Sequence, residues 1–160
     1  MGGEFPLRIG EYYQASKRGQ LQPMYALLLR LVRQQSFNLG SKRNMTSTID
    51  RRHTSRRMSK IVIHDNTVYL CGQVGNRGDS IDAQCAEAFR RIDVLLAEAG
   101  TSNERMLQVI VWLKTMDDFD AMNLAYENWV PEGCAPARAC GRSEMASEEL
   151  LVEFTVTAAI

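Results

Sequence analysis

The feature that most constrains the fold of this chain is a helical period of apolar residues between positions 81 and 99. Side chains at spacings of three and four residues lie along one face of a helix. Ser80 is a suitable N-cap, Asp82 stands in the first turn, and Gly100 follows as a stop. The period comprises Ile81, Cys85, Ala88, Phe89, Ile92, Leu95, Leu96 and Ala99. We therefore predict an amphipathic helix that packs one face against another layer of the fold.

β-Strand patterns stand on both sides of this helix. Residues 60–64 and 67–74 are rich in β-branched side chains and flank the turn-forming pair Asp65-Asn66, which is typical of a hairpin. Residues 106–113 are apolar throughout, which indicates a central strand that is buried on both faces.

A second helix and two more strands complete the pattern. The helix begins near Asp117 and ends before Pro131, and strands follow over residues 137–141 and 150–159. The order β-β-α-β-α-β-β predicts an α+β domain with two helices on one face of a mixed sheet. The other face of such a sheet needs a cover, which self-association would supply.

The N-terminal part of the chain differs in composition. Residues 44–58 are dominated by Ser, Thr, Arg and His without an apolar period, so we interpret them as a linker or an irregular lead-in. We assign residues 1–44 to a poorly ordered N-terminal extension and residues 45–160 to the domain. The apolar segment 21–32 is too short to span a membrane, which takes about 20 residues, and no signal-peptide cleavage site follows it. We expect no membrane association.

Charge and motif content argue against several functions. The 19 Lys+Arg balance the 19 Asp+Glu, so no net field attracts nucleic acid. The four cysteines form no CxxC pair and the chain has two histidines, which favours reduced thiols in the cytoplasm over a disulfide framework or a zinc site. The glycine-rich phosphate cradles are absent from the sequence. We expect neither a metal nor a cofactor.

Two polar residues interrupt the predicted sheet. Arg138 lies in the strand after Pro136, and Glu153 interrupts the apolar strand near the C-terminus. An arginine presents a planar, always-charged fork that binds a carboxylate bidentately, so Arg138 could hold a substrate acid. An ion pair between Arg138 and Glu153 across adjacent strands is the alternative, and spacing alone favours it. Cys71 and Cys140 are interpreted as small apolar side chains within strands.

Three stretches of the sequence resemble the Rid or YjgF-like family, whose members are also described as L-PSP endoribonucleases. They are VYLCGQV (68–74), FDAMNLAYENWV (119–130) and APARACGRSEMASEELLVEFTVTAA (135–159). The most specific element is PARxC followed by a strand that contains Val-Glu. The similarity runs from about Met45 to Ile160 and excludes the N-terminal extension.

The resemblance implies a chorismate-mutase-like α+β fold and a homotrimer with a site in each cleft between subunits. In such proteins an arginine binds the carboxylate of an enamine or imine acid, which water hydrolyses to a 2-keto acid and ammonia. By the family pattern, Arg138 is this arginine and Glu153 the acid that handles the water. Cys140, Asn123 and Gly72 match further site positions.

Two departures from the family pattern qualify this expectation. Cys71 stands where deaminase members carry a serine, and Met58 stands where they carry a tyrosine. The leading hypothesis is an enamine or imine deaminase, with Cys71 among the substrate-binding residues, in a divergent subgroup. The alternative is a non-catalytic trimeric module that binds a small carboxylate. Ribonuclease activity is disfavoured by the neutral charge and the lack of a histidine pair.

Overall fold

The computed structural model describes residues 48–160, and the predicted extension over residues 1–44 lies outside the described residues. Its strands are β1 (Ile49–Arg52), β2 (Ile61–His64), β3 (Thr67–Leu70), β4 (Gln73–Val74), β5 (Met106–Leu113), β6 (Ala137–Arg142) and β7 (Val152–Ala159). Its α-helices are α1 (Ile81–Ala99) and α2 (Phe119–Trp129), and short 3-10 helices span Asn103–Arg105 and Met116–Asp118.

The sheet is mixed, with strand order β1-β2-β3-β7-β5-β6 and the short β4 beside β7. β5 and β6 run parallel, and the other pairs are antiparallel. α2 is part of the connection between the parallel strands, as a parallel pair requires a long crossover. The predicted class, an α+β fold with two helices packed on a mixed sheet, is confirmed.

The caps of α1 are those that the sequence predicts. The side chain of Ser80 accepts a hydrogen bond from the backbone N–H of Ala83. Gly100 ends the helix at a φ of 86°, in the left-handed region that glycine adopts without a steric penalty.

The core lies between one face of the sheet and the two helices. Phe89 of α1 stacks on Trp129 of α2, with ring centroids 4.4 Å apart, and approaches Phe154 of β7 at 4.8 Å. Alternate residues of β7 from Val152 to Ala158 are buried against this layer. Each large apolar side chain buried here stabilises the fold by about 1.5–3 kcal/mol. This packing fixes α2 relative to the sheet edge.

Two sequence-based interpretations are corrected. The segment taken as a linker contains β1, which pairs with β2 over four residues. β5 is buried on one face only, since Trp112 on its other face is 40% exposed in the single chain. Tyr69 of β3, on the same face, is 47% exposed. One face of the sheet, which carries these aromatic side chains, is therefore not covered by any helix or strand within residues 48–160.

Candidate functional site

Arg138 is held in a defined orientation at the β6 edge of the sheet. Its Nη2–H donates a hydrogen bond to Oδ1 of Asn123 at 2.5 Å, and its guanidinium carbon lies 4.7 Å from the ring centroid of Tyr126. A cation over an aromatic face at this distance is attracted by about 0.5–2 kcal/mol. Across residues 48–160 no carboxylate forms an ion pair with Arg138. The side chain is exposed and can receive an anion.

Two residues of α2 create this environment. Asn123 and Tyr126 are three positions apart and so share a helix face. The Tyr126 ring is buried against Phe89 and Trp129, with centroids 6.2 and 5.8 Å away. Burial raises the pKa of the Tyr126 phenol, and the charge of Arg138 lowers it by less. The phenol is therefore neutral, and its hydroxyl has no hydrogen-bond partner within the described residues.

Cys140 follows Arg138 by two positions on β6, so both side chains point to the same face of the strand. Its thiol is half-buried and packs against the core. Burial raises the pKa of this thiol, and the nearby Arg138 charge lowers it by less. Cys140 thus lines the Arg138 environment as a neutral, weakly polar wall.

Gly72 and Glu153 form a second group. A β-carbon on Gly72 would overlap Oε1 of Glu153, so the carboxylate lies directly over the glycine backbone. A side chain at position 72 would therefore have to displace the Glu153 carboxylate. The structure thus brings these two residues into contact, and their role in one site stays a prediction.

Cys71 lies beside this second group. The amide Nε2 of Gln73 donates to the carbonyl oxygens of Cys71 and Gly72 and to the Cys71 Sγ, each at 3.0 Å. Burial raises the pKa of the Cys71 thiol, while Gln73 and then Lys60 lower it and Glu153 raises it further. The thiol is consequently protonated at neutral pH and is a poor nucleophile.

The two groups do not meet within one chain. Val109 of β5 lies opposite both Arg138 and Val156, whereas Trp112 lies opposite both Gly141 and Glu153. Arg138 is thus three positions out of register with Glu153, and an odd offset directs side chains to opposite faces of a sheet. The prediction of an ion pair between Arg138 and Glu153, which the sequence spacing favoured, is wrong, because β5 separates β6 from β7.

Sequence reasoning missed two contributors. Tyr126 was assigned to the core alone, although its three-residue spacing from Asn123 on α2 was a usable signal. No role was predicted for Gln73 of the stretch VYLCGQV, but the structure buries it and directs its amide to the carbonyl oxygens of Cys71 and Gly72. Met58, which stands at the tyrosine position, is 46% exposed in the β1–β2 connection.

The part of the chain that the structure describes contains no cluster of three or more His, Cys, Asp or Glu side chains that could hold a metal ion. Among its helices, none is both long and apolar enough to cross a bilayer.

Comparisons with known proteins find relatives that cover the described part of the chain. The sequence pattern of the family described as "Endoribonuclease L-PSP" matches residues 48–160. The RutC family protein YoaB of Escherichia coli strain K12 is 33% identical over 113 residues, 71% of this chain and 99% of that protein. A RutC family protein of Haemophilus ducreyi is 35% identical over 114 residues, 70% of this chain and 97% of that protein.

A solved structure shares both sequence and fold. The crystal structure of a YjgF family member from Neisseria meningitidis superposes with a TM-score of 0.69 at 33% identity. The superposition covers 71% of this chain and 95% of that one.

Proposed function

Since this chain belongs to the endoribonuclease L-PSP family, which includes the RutC and YjgF proteins, we propose that it hydrolyses a small enamine or imine acid. The products are a 2-keto acid and ammonia, and the reaction takes place in clefts between the subunits of a homotrimer. The proposed location is the cytoplasm, in keeping with four cysteines that are free thiols.

The observation that carries this proposal is that the Arg138 guanidinium is held in a fixed orientation without a carboxylate partner. The Tyr126 ring supports one face of the guanidinium and Asn123 holds one of its nitrogens, while no protein carboxylate in residues 48–160 neutralises it. A guanidinium held in this way offers its remaining N–H groups to a planar acid with little loss of conformational entropy. The substrate therefore carries a carboxylate.

Little further chemistry is required of the protein. An imine carbon is already electrophilic, so the site needs to orient the acid and to deliver a water molecule. The Glu153 carboxylate can accept a hydrogen bond from that water and polarise it. General acid–base help of this kind accelerates reactions by about 100- to 10,000-fold.

The opposed directions of Arg138 and Glu153 support a site shared by two subunits. In one chain they are separated by roughly 10 Å along the strands and roughly 10 Å across them, on opposite faces. A second copy that covers the open face, with its exposed Tyr69 and Trp112, would bring its own Glu153 to the Arg138 edge of the first copy. Association would also bury these aromatic side chains.

A second candidate is a non-catalytic module that binds a small carboxylate. Cys71 and Met58 replace the serine and the tyrosine of the deaminase pattern, and the Cys71 thiol is a weaker hydrogen-bond donor than a hydroxyl. Such a module would bind acids at Arg138 but would not accelerate the hydrolysis of imines.

Release of 2-keto acid from freshly generated imines distinguishes these two candidates. An amino-acid oxidase supplies 2-imino acids, and decay is compared between buffer, wild type, Arg138→Ala and Glu153→Gln. The deaminase proposal expects acceleration by wild type only, with acid binding retained in Glu153→Gln. If wild type and buffer give equal rates while Arg138-dependent acid binding persists, the binding module replaces the enzyme.

A further inference from the structure

The connection between β1 and β2 forms an ordered loop. The Ser55 hydroxyl accepts hydrogen bonds from the backbone N–H groups of Arg57 and Met58, and the Ser55 N–H donates to the Met58 carbonyl. The hydroxyls of Thr54 and Ser59 are joined at 2.9 Å. The loop has a defined conformation, so the charges that it carries are presented from fixed backbone positions.

This segment is strongly basic. Between residues 51 and 60 the chain contains four arginines and one lysine, but no Asp or Glu. Arg52 is paired with Asp50, whereas within residues 48–160 no ion pair involves Arg56, Arg57 or Lys60. These three cations and Arg51, which also has no ion pair within the described residues, produce a local positive potential that the balanced overall charge conceals.

Lys60 connects this potential to the Glu153 group. The backbone N–H of Cys71 donates to the Lys60 carbonyl at 3.1 Å, which extends the β2–β3 ladder by one pair beyond Ile61 and Leu70. Opposite residues of antiparallel strands direct their side chains to the same side, about 4.5–5.5 Å apart at Cβ. Lys60 and Cys71 therefore point away from the helix layer that buries Ile61 and Leu70.

Glu153 also points away from the helix layer, because the flanking Val152 and Phe154 are buried against it. The carboxylate of Glu153 lies over Gly72, the residue after Cys71. Lys60 consequently stands at the margin of the same surface, on the extension of β2, with β3 between it and the strand β7 that carries Glu153. The ammonium group of Lys60 forms no ion pair with any described residue.

We infer that Lys60, which follows Arg56 and Arg57 at the end of the same loop, binds a second carboxylate of the substrate, so that the protein prefers 2-imino dicarboxylic acids. This inference rests on the proposed function, in which the first carboxylate binds Arg138 and the imine carbon lies near Glu153 of the adjacent subunit. The far end of the substrate then extends along the surface of that subunit toward Lys60. Arg56 and Arg57 raise the local concentration of the dianion.

The test compares the imines generated from aspartate and from asparagine, which differ only in the exchange of a carboxylate for a neutral amide. Wild type is expected to hydrolyse the dicarboxylic imine with a kcat/KM about tenfold higher, the scale of one hydrogen bond to a charged group. Lys60→Gln should remove this preference, while Lys60→Arg should keep it. Arg90→Gln, which removes one charge from the helix layer, should have no effect.

Binding of succinate and of its monoamide, measured by calorimetry, separates this inference from the proposed function. If neither imine is hydrolysed, the deaminase proposal fails, yet a Lys60-dependent preference for succinate would still support the second carboxylate site. Equal affinity for both acids in wild type, or a preference that survives in Lys60→Gln, would overturn the inference.

Discussion

At the scale of single residues, Arg138 depends on its neighbours for its orientation. The Tyr126 ring and the Asn123 amide hold the guanidinium at the sheet edge. Arg138→Lys keeps the charge but loses the planar fork and the stacking. We expect binding of a stable 2-keto acid to weaken by about 1.5–3 kcal/mol. Calorimetry with Arg142→Lys as a same-strand control checks this, and wild-type affinity in Arg138→Lys would show that charge alone suffices.

The Tyr126 hydroxyl gives a second expectation at this scale. It is buried without a hydrogen-bond partner among the described residues, and such a group costs about 1–3 kcal/mol. Tyr126→Phe removes the hydroxyl and keeps the ring beneath Arg138. Urea unfolding should therefore show stability that is unchanged or raised by about 1 kcal/mol, with acid binding intact. A clear loss of stability would mean that the hydroxyl has a partner in solution.

At the scale of elements, the interior of α1 makes stability depend on pH. Cys85 is fully buried, and burial, with smaller contributions from Asp82 and Asp118, raises the pKa of its thiol from 9.0 to about 12. The unfolded chain therefore loses this proton at lower pH than the folded chain. Stability is retained below about pH 9 and falls as the pH rises toward 12, by at most about 1.4 kcal/mol per pH unit.

Cys85→Ala tests this dependence. The variant loses about 1 kcal/mol at neutral pH from the small cavity, but its stability should fall less between about pH 8 and about pH 11. Urea unfolding at both pH values, with Cys134→Ala as the loop control, measures the difference. If the stability of wild type and of Cys85→Ala fell equally with pH, the Cys85 thiol would not be the cause of the pH dependence.

The elements also show what the sequence could predict. The period and caps of α1 are local properties, so its bounds followed from Ser80 and Gly100. β1 has no such signal, because Ile49–Arg52 is three-quarters polar and exposed and pairs through its backbone. The apolar run in β5 did not reveal which face remains open, since that depends on the assembly. Strand order, which excludes the Arg138–Glu153 ion pair, is a tertiary property that spacing does not contain.

At the scale of the whole molecule, the proposed site requires association of two or more chains. A single chain holds Arg138 and Glu153 on opposite faces of the sheet and leaves Tyr69 and Trp112 exposed. A cyclic trimer with head-to-tail contacts would pair each Arg138 with a Glu153 from the next copy and close without further growth. The two-subunit site is the central claim, because both the deaminase chemistry and the second carboxylate site depend on it.

Mixing two inactive variants tests this claim most directly. Arg138→Ala and Glu153→Gln are refolded together in equal amounts, and imine hydrolysis is compared with each variant alone and with the two combined after separate assembly. Random cyclic trimers place an intact Arg138 beside an intact Glu153 in about a quarter of the clefts, so co-refolding should restore about a quarter of the wild-type activity. Co-refolded trimers that are no more active than either variant alone would contradict a site shared between subunits.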